Sequence, residues 1–97
     1  MRLRLTDPAK DDLSDIREYL EPRSVQGFVR VSTAIFTTMK QLESFPFLGR
    51  SGEVEGTREI TVPATEYRII YRINEPYHVD VVRVMHARRK YPGEDSA

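Results

Sequence analysis

The chain has 97 residues, of which 39% are hydrophobic and 31% are charged, proportions typical of a single soluble globular domain. Its 15 basic and 15 acidic residues cancel, whereas a domain that binds nucleic acid over a broad surface is usually basic. The chain has no cysteine and only two histidines, which excludes disulfides, so we expect no metal site and no cofactor. No apolar run approaches the roughly 18 residues that span a bilayer, and the N-terminus lacks a run of signal-peptide length. The expected compartment is the cytoplasm, with no membrane partner.

The N-terminal segment predicts a short strand followed by a helix. Residues 2–5 alternate arginine and leucine, as in a strand with one buried face. A helix is predicted to begin at Asp7 as the N-cap, with Pro8 at the first helical position, and to end near Glu21 because Pro22 follows. Its apolar face is Ala9, Leu13, Ile16 and Leu20.

A longer second helix is predicted after Ser24, which can serve as its N-cap. Its apolar stripe persists to about Ser44, and the short link between the helices favours an antiparallel hairpin. The stripe consists of Val25, Phe28, Ile35, Met39 and Leu42, widened by Val29, Val31 and Phe36.

The C-terminal half predicts three strands. Residues 58–62 form a strand that ends at Pro63, residues 67–73 alternate in polarity, and residues 79–85 are rich in β-branched side chains. Residues 74–77 supply the turn between the last two strands. The order β-α-α-β-β-β predicts an α+β fold in which the helical hairpin packs on one face of an antiparallel sheet. We expect one domain over residues 1–97, with 92–97 as a flexible tail.

Arginines are predicted on the sheet face that the helices leave open. Because strand side chains alternate between faces, Tyr67, Ile69, Tyr71, Ile73, Val82 and Val84 are assigned to the covered face. Arg68, Arg72 and Arg83 then share the other face. The guanidinium fork matches two phosphate oxygens, so these residues can bind a phosphate-bearing target. Alternatively they form cross-strand pairs with acidic residues and keep that face soluble.

A second group of candidate site residues follows the last strand. His86 can transfer protons near neutral pH, or it can be a hydrogen-bonded histidine at the edge of the core. Arg88, Arg89 and Lys90 can contact phosphate or an acidic partner, or remain a solvated tail. Tyr91 can stack on a base or pass a proton, or it can pack the tail onto the sheet.

The chain resembles the RelE/ParE superfamily of bacterial toxins from type II toxin–antitoxin modules. The resemblance covers nearly the full length, and the superfamily fold that it implies is the same β-α-α-β-β-β arrangement. It rests on Thr6-Asp7-Pro8-Ala9 with Asp12-Leu13 and Ile16, on Leu42-Glu43-Ser44-Phe45-Pro46 with Leu48-Gly49-Arg50, on Arg58-Glu59-Ile60, on residues 67–73, and on residues 82–89.

The resemblance implies one of two activities. RelE-like members are metal-independent nucleases that cut mRNA on the ribosome. In that reading Arg68 matches the strand arginine of the RelE active site, and Arg88 or Arg89 matches its second arginine. Tyr91 or His86 would then be the general acid or base. ParE-like members instead poison DNA gyrase and block replication without catalysis of their own, and such modules stabilise plasmids. In that reading Arg68, Arg72, Arg83, Arg88 and Arg89 are candidate contacts to the target.

The ParE branch is the closer resemblance. No lysine occurs between Lys40 and Lys90, where RelE members carry lysines, and the chain is neutral. The ending Arg83-Val84-Met85-His86-x-Arg also resembles that of ParE toxins. We therefore favour a non-enzymatic gyrase inhibitor, with the ribosome-dependent nuclease as the alternative. A toxin relic or a purely antitoxin-binding module is the third possibility. The resemblance also implies a cognate antitoxin in a hetero-oligomer, with one segment that folds over the helical hairpin, the sheet or both.

Overall fold

The computed structural model describes residues 1–93, which form two helices and one sheet of five strands. Most of the predicted flexible tail, residues 94–97, lies outside the described residues. The elements are β1 (Arg2–Leu5), α1 (Asp7–Leu20), α2 (Val25–Ser44), β2 (Arg50–Ser51), β3 (Arg58–Thr61), β4 (Tyr67–Asn74) and β5 (His78–His86).

The α+β fold with a helical hairpin on one sheet face is confirmed, but the sheet is mixed rather than wholly antiparallel. The strand order is β1-β5-β4-β3-β2. The last three long strands form the predicted meander, whereas β1 lies parallel to β5. β5 can lie inside the sheet, between β1 and β4, because its side chains are apolar on both faces. The buried ones are Val79, Val81, Val84 and Met85. The two-residue strand β2 completes the other edge.

The helix caps agree with the predictions at α2 and differ at α1. Ser24 accepts a hydrogen bond from Gly27 N at 2.9 Å, as an N-cap does. At α1 the cap is Thr6, whose hydroxyl accepts from Ala9 N at 3.3 Å, and Asp7 is the first helical residue. The prediction of Asp7 as N-cap was therefore wrong by one position, because Thr6 offers an equivalent side-chain oxygen in the extended conformation that a cap requires.

A bulge in β5 changes which side chains face the helices. Tyr71 pairs with Val81 and Ile70 pairs with Arg83, so Val82 is an extra residue in β5. Cross-strand partners share a face. The helix face, defined as the sheet face that packs on α1 and α2, therefore takes Val79 and Val81 before the bulge and Val84 after it. The assignment of Val84 is confirmed, and that of Val82 is wrong because the alternation restarts at the bulge.

The opposite side of the sheet, which we call the far face, is less open than predicted. Ile70 on β4 and Met85 on β5 lie there, and they are 0% and 3% exposed. Arg68 alternates with the core residue Ile69 and pairs with Met85, so it belongs to the same face. The far face is thus an apolar centre bordered by charged side chains.

Arg4 on β1 and Asp80 on β5 form an ion pair that connects these two strands. Arg4 donates from Nε and Nη2 to the two oxygens of Asp80, at 2.6 and 3.0 Å. This charged hydrogen bond, with a further one from Asn74, holds the pKa of Asp80 below its usual value. The pair therefore fixes the register of the parallel strand.

A buried tyrosine holds the loop that follows α2. The hydroxyl of Tyr71 donates to Pro46 O at 2.7 Å and accepts from Gly49 N at 2.9 Å. Tyr71→Phe should lower the free energy of unfolding by about 1–3 kcal/mol, because it leaves a buried amide and a carbonyl without their partner. Urea denaturation checks the value, with Tyr77→Phe, at an exposed turn position, as the matched control. Equal stability of the two variants would contradict the role of Tyr71.

Candidate functional site

A buried ion pair lies at the edge of the far face. Glu59 on β3 is 2% exposed, and its Oε1 accepts from Arg68 Nη1 at 2.6 Å and from Arg50 Nη2 at 3.3 Å. Sequence reasoning did not identify Glu59, although a single acid in a short strand between two arginine-bearing strands is a signal for such a pair. Arg68 therefore forms a cross-strand pair with an acidic residue, which is the second of the two roles considered for the strand arginines.

The segment after β5 folds back so that its backbone meets Arg68. Arg68 Nη2 donates to the carbonyl oxygen of Arg89. Two backbone hydrogen bonds shape the segment, from Ala87 N to Glu66 O at 2.7 Å and from Arg89 N to His86 O at 3.0 Å. The guanidinium of Arg68 thus joins Glu59 on the sheet to the C-terminal segment.

A cleft of about 600 Å³ lies between Arg68 and the segment that follows β5. It brings together four of the predicted site residues, which are Arg68, Arg88, Arg89 and Tyr91. The full lining is Glu53, Arg68, Ala87, Arg88, Arg89, Lys90, Tyr91 and Pro92. We call this the basic cleft. Its ionisable side chains are four cations, one carboxylate and one phenol, a composition suited to binding an anion.

His86 lies on the other face of the sheet. It pairs with Tyr67 across the strands, and their rings meet edge to face with centroids 6.0 Å apart. Tyr67 packs against the helix-face core, so His86 projects to the side opposite Arg68. Nδ1 of His86 accepts from Arg88 N at 3.2 Å and Nε2 is 3.7 Å from Glu66 Oε2. The position is that of a hydrogen-bonded histidine at the edge of the core.

A second cavity, of about 620 Å³, adjoins His86 between the helices and the β3–β4 turn. Burial raises the pKa of the Tyr67 phenol, with smaller contributions from the charge of Glu66 and from Tyr19. Tyr67 is therefore a neutral hydroxyl at physiological pH. Arg30 Nη1 donates to Ala64 O at 2.8 Å and connects α2 to the turn. The cavity is lined by Tyr19, Leu20, Arg30, Val31, Ala64, Thr65, Glu66, Tyr67 and His86.

The other two predicted strand arginines do not reach the basic cleft. Arg72 Nη1 donates to Glu55 O, in the loop before β3, at 3.2 Å. Arg83 donates from Nε and Nη2 to the carboxylate of Asp12 on α1, at 2.7 and 2.8 Å. The three arginines expected in one row thus have partners on three different segments, and only Arg68 lines the cleft.

The helical hairpin carries an apolar groove on its outer side. The groove has a volume of about 290 Å³, and its apolar lining comes from Leu13, Ile16, Phe28, Ile35 and Phe36. Phe36 is 55% exposed, and Val25 and Val29 on the same helix are also exposed. The exposed acids of α1 recur at spacings of four, four and three, and so share one side of that helix. These acids are Asp7, Asp11, Asp15 and Glu18.

Residues 3–91 match the family model described as the ParE toxin of the type II toxin–antitoxin system parDE. The chain belongs to the ParE toxin family. It is 34% identical over 91 residues to the provisionally named toxin Y4kP of Sinorhizobium fredii (strain NBRC 101917 / NGR234), a match that covers 94% of this chain and 93% of Y4kP. The expected membership of the RelE/ParE superfamily, closer to its ParE branch, is confirmed.

Two solved structures share the fold of this ParE-family chain. A chain of the chromosomal ParDE system from P. aeruginosa superposes with a TM-score of 0.77 at 21% identity, covering 89% of this chain and 95% of the other. A chain of the RelBE2 toxin–antitoxin complex from Mycobacterium tuberculosis superposes with a TM-score of 0.59 at 25% identity, covering 88% and 95%. Both structures belong to toxin–antitoxin systems.

Two further properties concern residues 1–93, the part of the chain that the structure describes. No helix in this part of the ParE-family chain is long and apolar enough to cross a membrane. Within the same residues, no three histidine, aspartate or glutamate side chains are grouped as a metal ion would require.

Proposed function

We propose that this ParE-family toxin inhibits bacterial growth by binding DNA gyrase in the cytoplasm, and that a cognate antitoxin neutralises it. The observation that carries the choice of gyrase over RNA cleavage is the separation of His86 from Arg68. A nuclease of the RelE type needs a base or acid beside its phosphate-binding arginines. Here the histidine projects to the helix face, and Arg68 is already paired with the buried Glu59.

The ribosome-dependent mRNA endonuclease remains the second candidate because of Tyr91. This phenol lines the basic cleft together with Arg68, Arg88 and Arg89. It can in principle supply the proton transfer that His86 cannot, with the arginines stabilising charge on the phosphate. The nuclease is the less favoured function, because His86 projects to the face of the sheet opposite Arg68.

The antitoxin partner is proposed from the family and from the groove of the helical hairpin. A small domain with half-exposed phenylalanine and valine side chains along one helix exposes the kind of apolar patch that marks a protein interface. An antitoxin segment that is disordered alone can fold into this groove. The complex would then be a toxin–antitoxin hetero-oligomer.

Two assays on the purified protein test the choice of target. Supercoiling of relaxed plasmid by gyrase should fall as the protein is added, and translating ribosomes should leave their mRNA intact in a primer-extension assay. Antitoxin added in equal amount should restore supercoiling. Codon-specific mRNA cuts with normal supercoiling would reject the gyrase proposal and support the nuclease, with Tyr91→Phe as the variant that should then lose cleavage.

A further inference from the structure

The basic cleft concentrates positive charge in a chain that is neutral overall. Four cations and one carboxylate line it, and Glu59 behind the cleft compensates Arg68, which leaves 4 − 2 = +2, against a formal net charge of zero for the chain. Clustered charge in a concave site raises the local concentration of counter-ions of the opposite sign. The cleft is therefore an electrostatic site for an anion, irrespective of the net charge.

Arg68 is held too firmly to be the main ligand of that anion. Its side chain is 13% exposed, Nη1 bonds to Glu59, and Nη2 bonds to the backbone of Arg89. Its Nε is buried without a hydrogen-bond partner among the described residues. Arg88, Arg89 and Lys90 are exposed to solvent. The geometry gives Arg68 the task of fixing the backbone from which the three cations project.

We propose that the basic cleft binds the sugar-phosphate backbone of duplex DNA. The exposed side chains of Arg88, Arg89 and Lys90 contact phosphates, and Arg68 with Glu59 acts as a positioning pair. Three consecutive cationic residues at an open cleft suit the successive phosphates of a polyanion better than one small anion. The inference deepens the proposed function, because DNA is the substrate of gyrase and the toxin would then contact both parts of the gyrase–DNA complex.

The expected binding is weak and strongly dependent on salt. Sequence-independent binding by a few phosphate contacts has a dissociation constant of about 10⁻⁴–10⁻⁶ M at physiological salt. Each neutralised phosphate contributes about −0.9 to the slope of log K against log salt concentration. The slope therefore counts the contacts, which separates a phosphate ligand from a residue that acts through its neighbours.

Fluorescence anisotropy with a labelled duplex DNA at several salt concentrations tests the cleft. The triple variant Arg88→Ala, Arg89→Ala, Lys90→Ala should bind at least about tenfold more weakly at low salt, with a slope reduced by roughly two to three. The matched control Arg2→Ala, Lys10→Ala, Lys40→Ala removes the same charge from exposed positions outside the cleft and should retain the wild-type slope. Equal losses in the two triple variants would overturn the proposal.

The positioning pair is tested by combination. Arg68→Met should weaken DNA binding in the wild-type background. It should have no effect in the triple variant of residues 88–90, which we call the tail triple variant, because the cations that Arg68 positions are absent there. If Arg68 contacts phosphate directly, it lowers the slope by about one in both backgrounds, which would overturn the positioning role. Glu59→Gln, alone and with Arg68→Met, provides a folded comparison if the single arginine variant unfolds, and circular dichroism confirms the fold of each.

A single-stranded RNA probe and a gyrase assay distinguish this inference from the function on which it rests. Tighter binding to RNA than to duplex DNA through the same cations would overturn the choice of DNA. Cleft-dependent DNA binding without inhibition of supercoiling would leave the cleft as proposed and reject gyrase as the target. Inhibition of gyrase by the tail triple variant at wild-type potency would support the proposed function and reject a role for the cleft in it.

Discussion

Replacing Asp12 with alanine is expected to lower the free energy of unfolding by about 3–5 kcal/mol. The carboxylate is only 9% exposed and accepts three hydrogen bonds, two from the Arg83 guanidinium and one from Val84 N at 2.9 Å. It ties α1 to the part of β5 that extends beyond β1. Truncation to alanine removes the acceptor that the Arg83 guanidinium and Val84 N share. Removing the acceptor of a partly buried cation and of a buried amide lowers the stability of the folded state.

Chemical denaturation of matched variants measures this effect. Asp15→Ala, on the exposed side of the same helix, removes the same charge and should change the stability by about 0.5 kcal/mol or less. Asp12→Asn retains an acceptor for Val84 N and should lie between the two. The double variant Asp12→Leu with Arg83→Met should recover much of the loss, because apolar residues often replace a buried ion pair without cost. A loss below about 1 kcal/mol for Asp12→Ala would contradict the structural role.

The elements were predictable from sequence because they depend on local periodicity, whereas the bulge at Val82 was not. The hydroxyl of Thr6 donates to Val82 O at 2.9 Å, and Thr6 N donates to Val81 O at 3.0 Å. These bonds form where the chain leaves β1 for α1. The bulge therefore depends on contacts between residues more than 70 positions apart, 76 for the hydroxyl bond. The parallel pairing of β1 is hidden for the same reason.

The sequence predicted those parts of the candidate site that the β4–β5 hairpin brings together. It did not predict the contacts between residues that lie far apart in the chain. Arg68 is the second residue of β4 and the basic segment follows β5, so antiparallel pairing brings them together. The alternation within β5 likewise placed His86 at the core edge as one of two alternatives. The pairing of Arg83 with Asp12 joins residues 71 positions apart, and no local pattern selects which acid an arginine meets.

Replacing Phe36 with aspartate is expected to weaken antitoxin binding by roughly 30- to 1,000-fold, the equivalent of about 2–4 kcal/mol. Phe36 lines the groove between the helices and is 55% exposed, so the substitution changes the interface far more than the core. A carboxylate in the centre of a desolvated apolar contact has no partner there. The exposed acids of α1 favour a partner helix with basic residues along its edge.

Isothermal titration with the product of the adjacent small gene measures the affinity, and thermal denaturation of the toxin alone checks its fold. Tyr77→Asp places the same charge at an equally exposed aromatic position, 67% exposed in the β4–β5 turn and outside the groove, and should bind within about threefold of the wild type. Arg17 lies in the groove lining as well, so Arg17→Ala should improve the binding of a basic partner helix. Wild-type affinity in Phe36→Asp, or equal losses in the two aspartate variants, would exclude the groove as the antitoxin site and move the interface to the sheet.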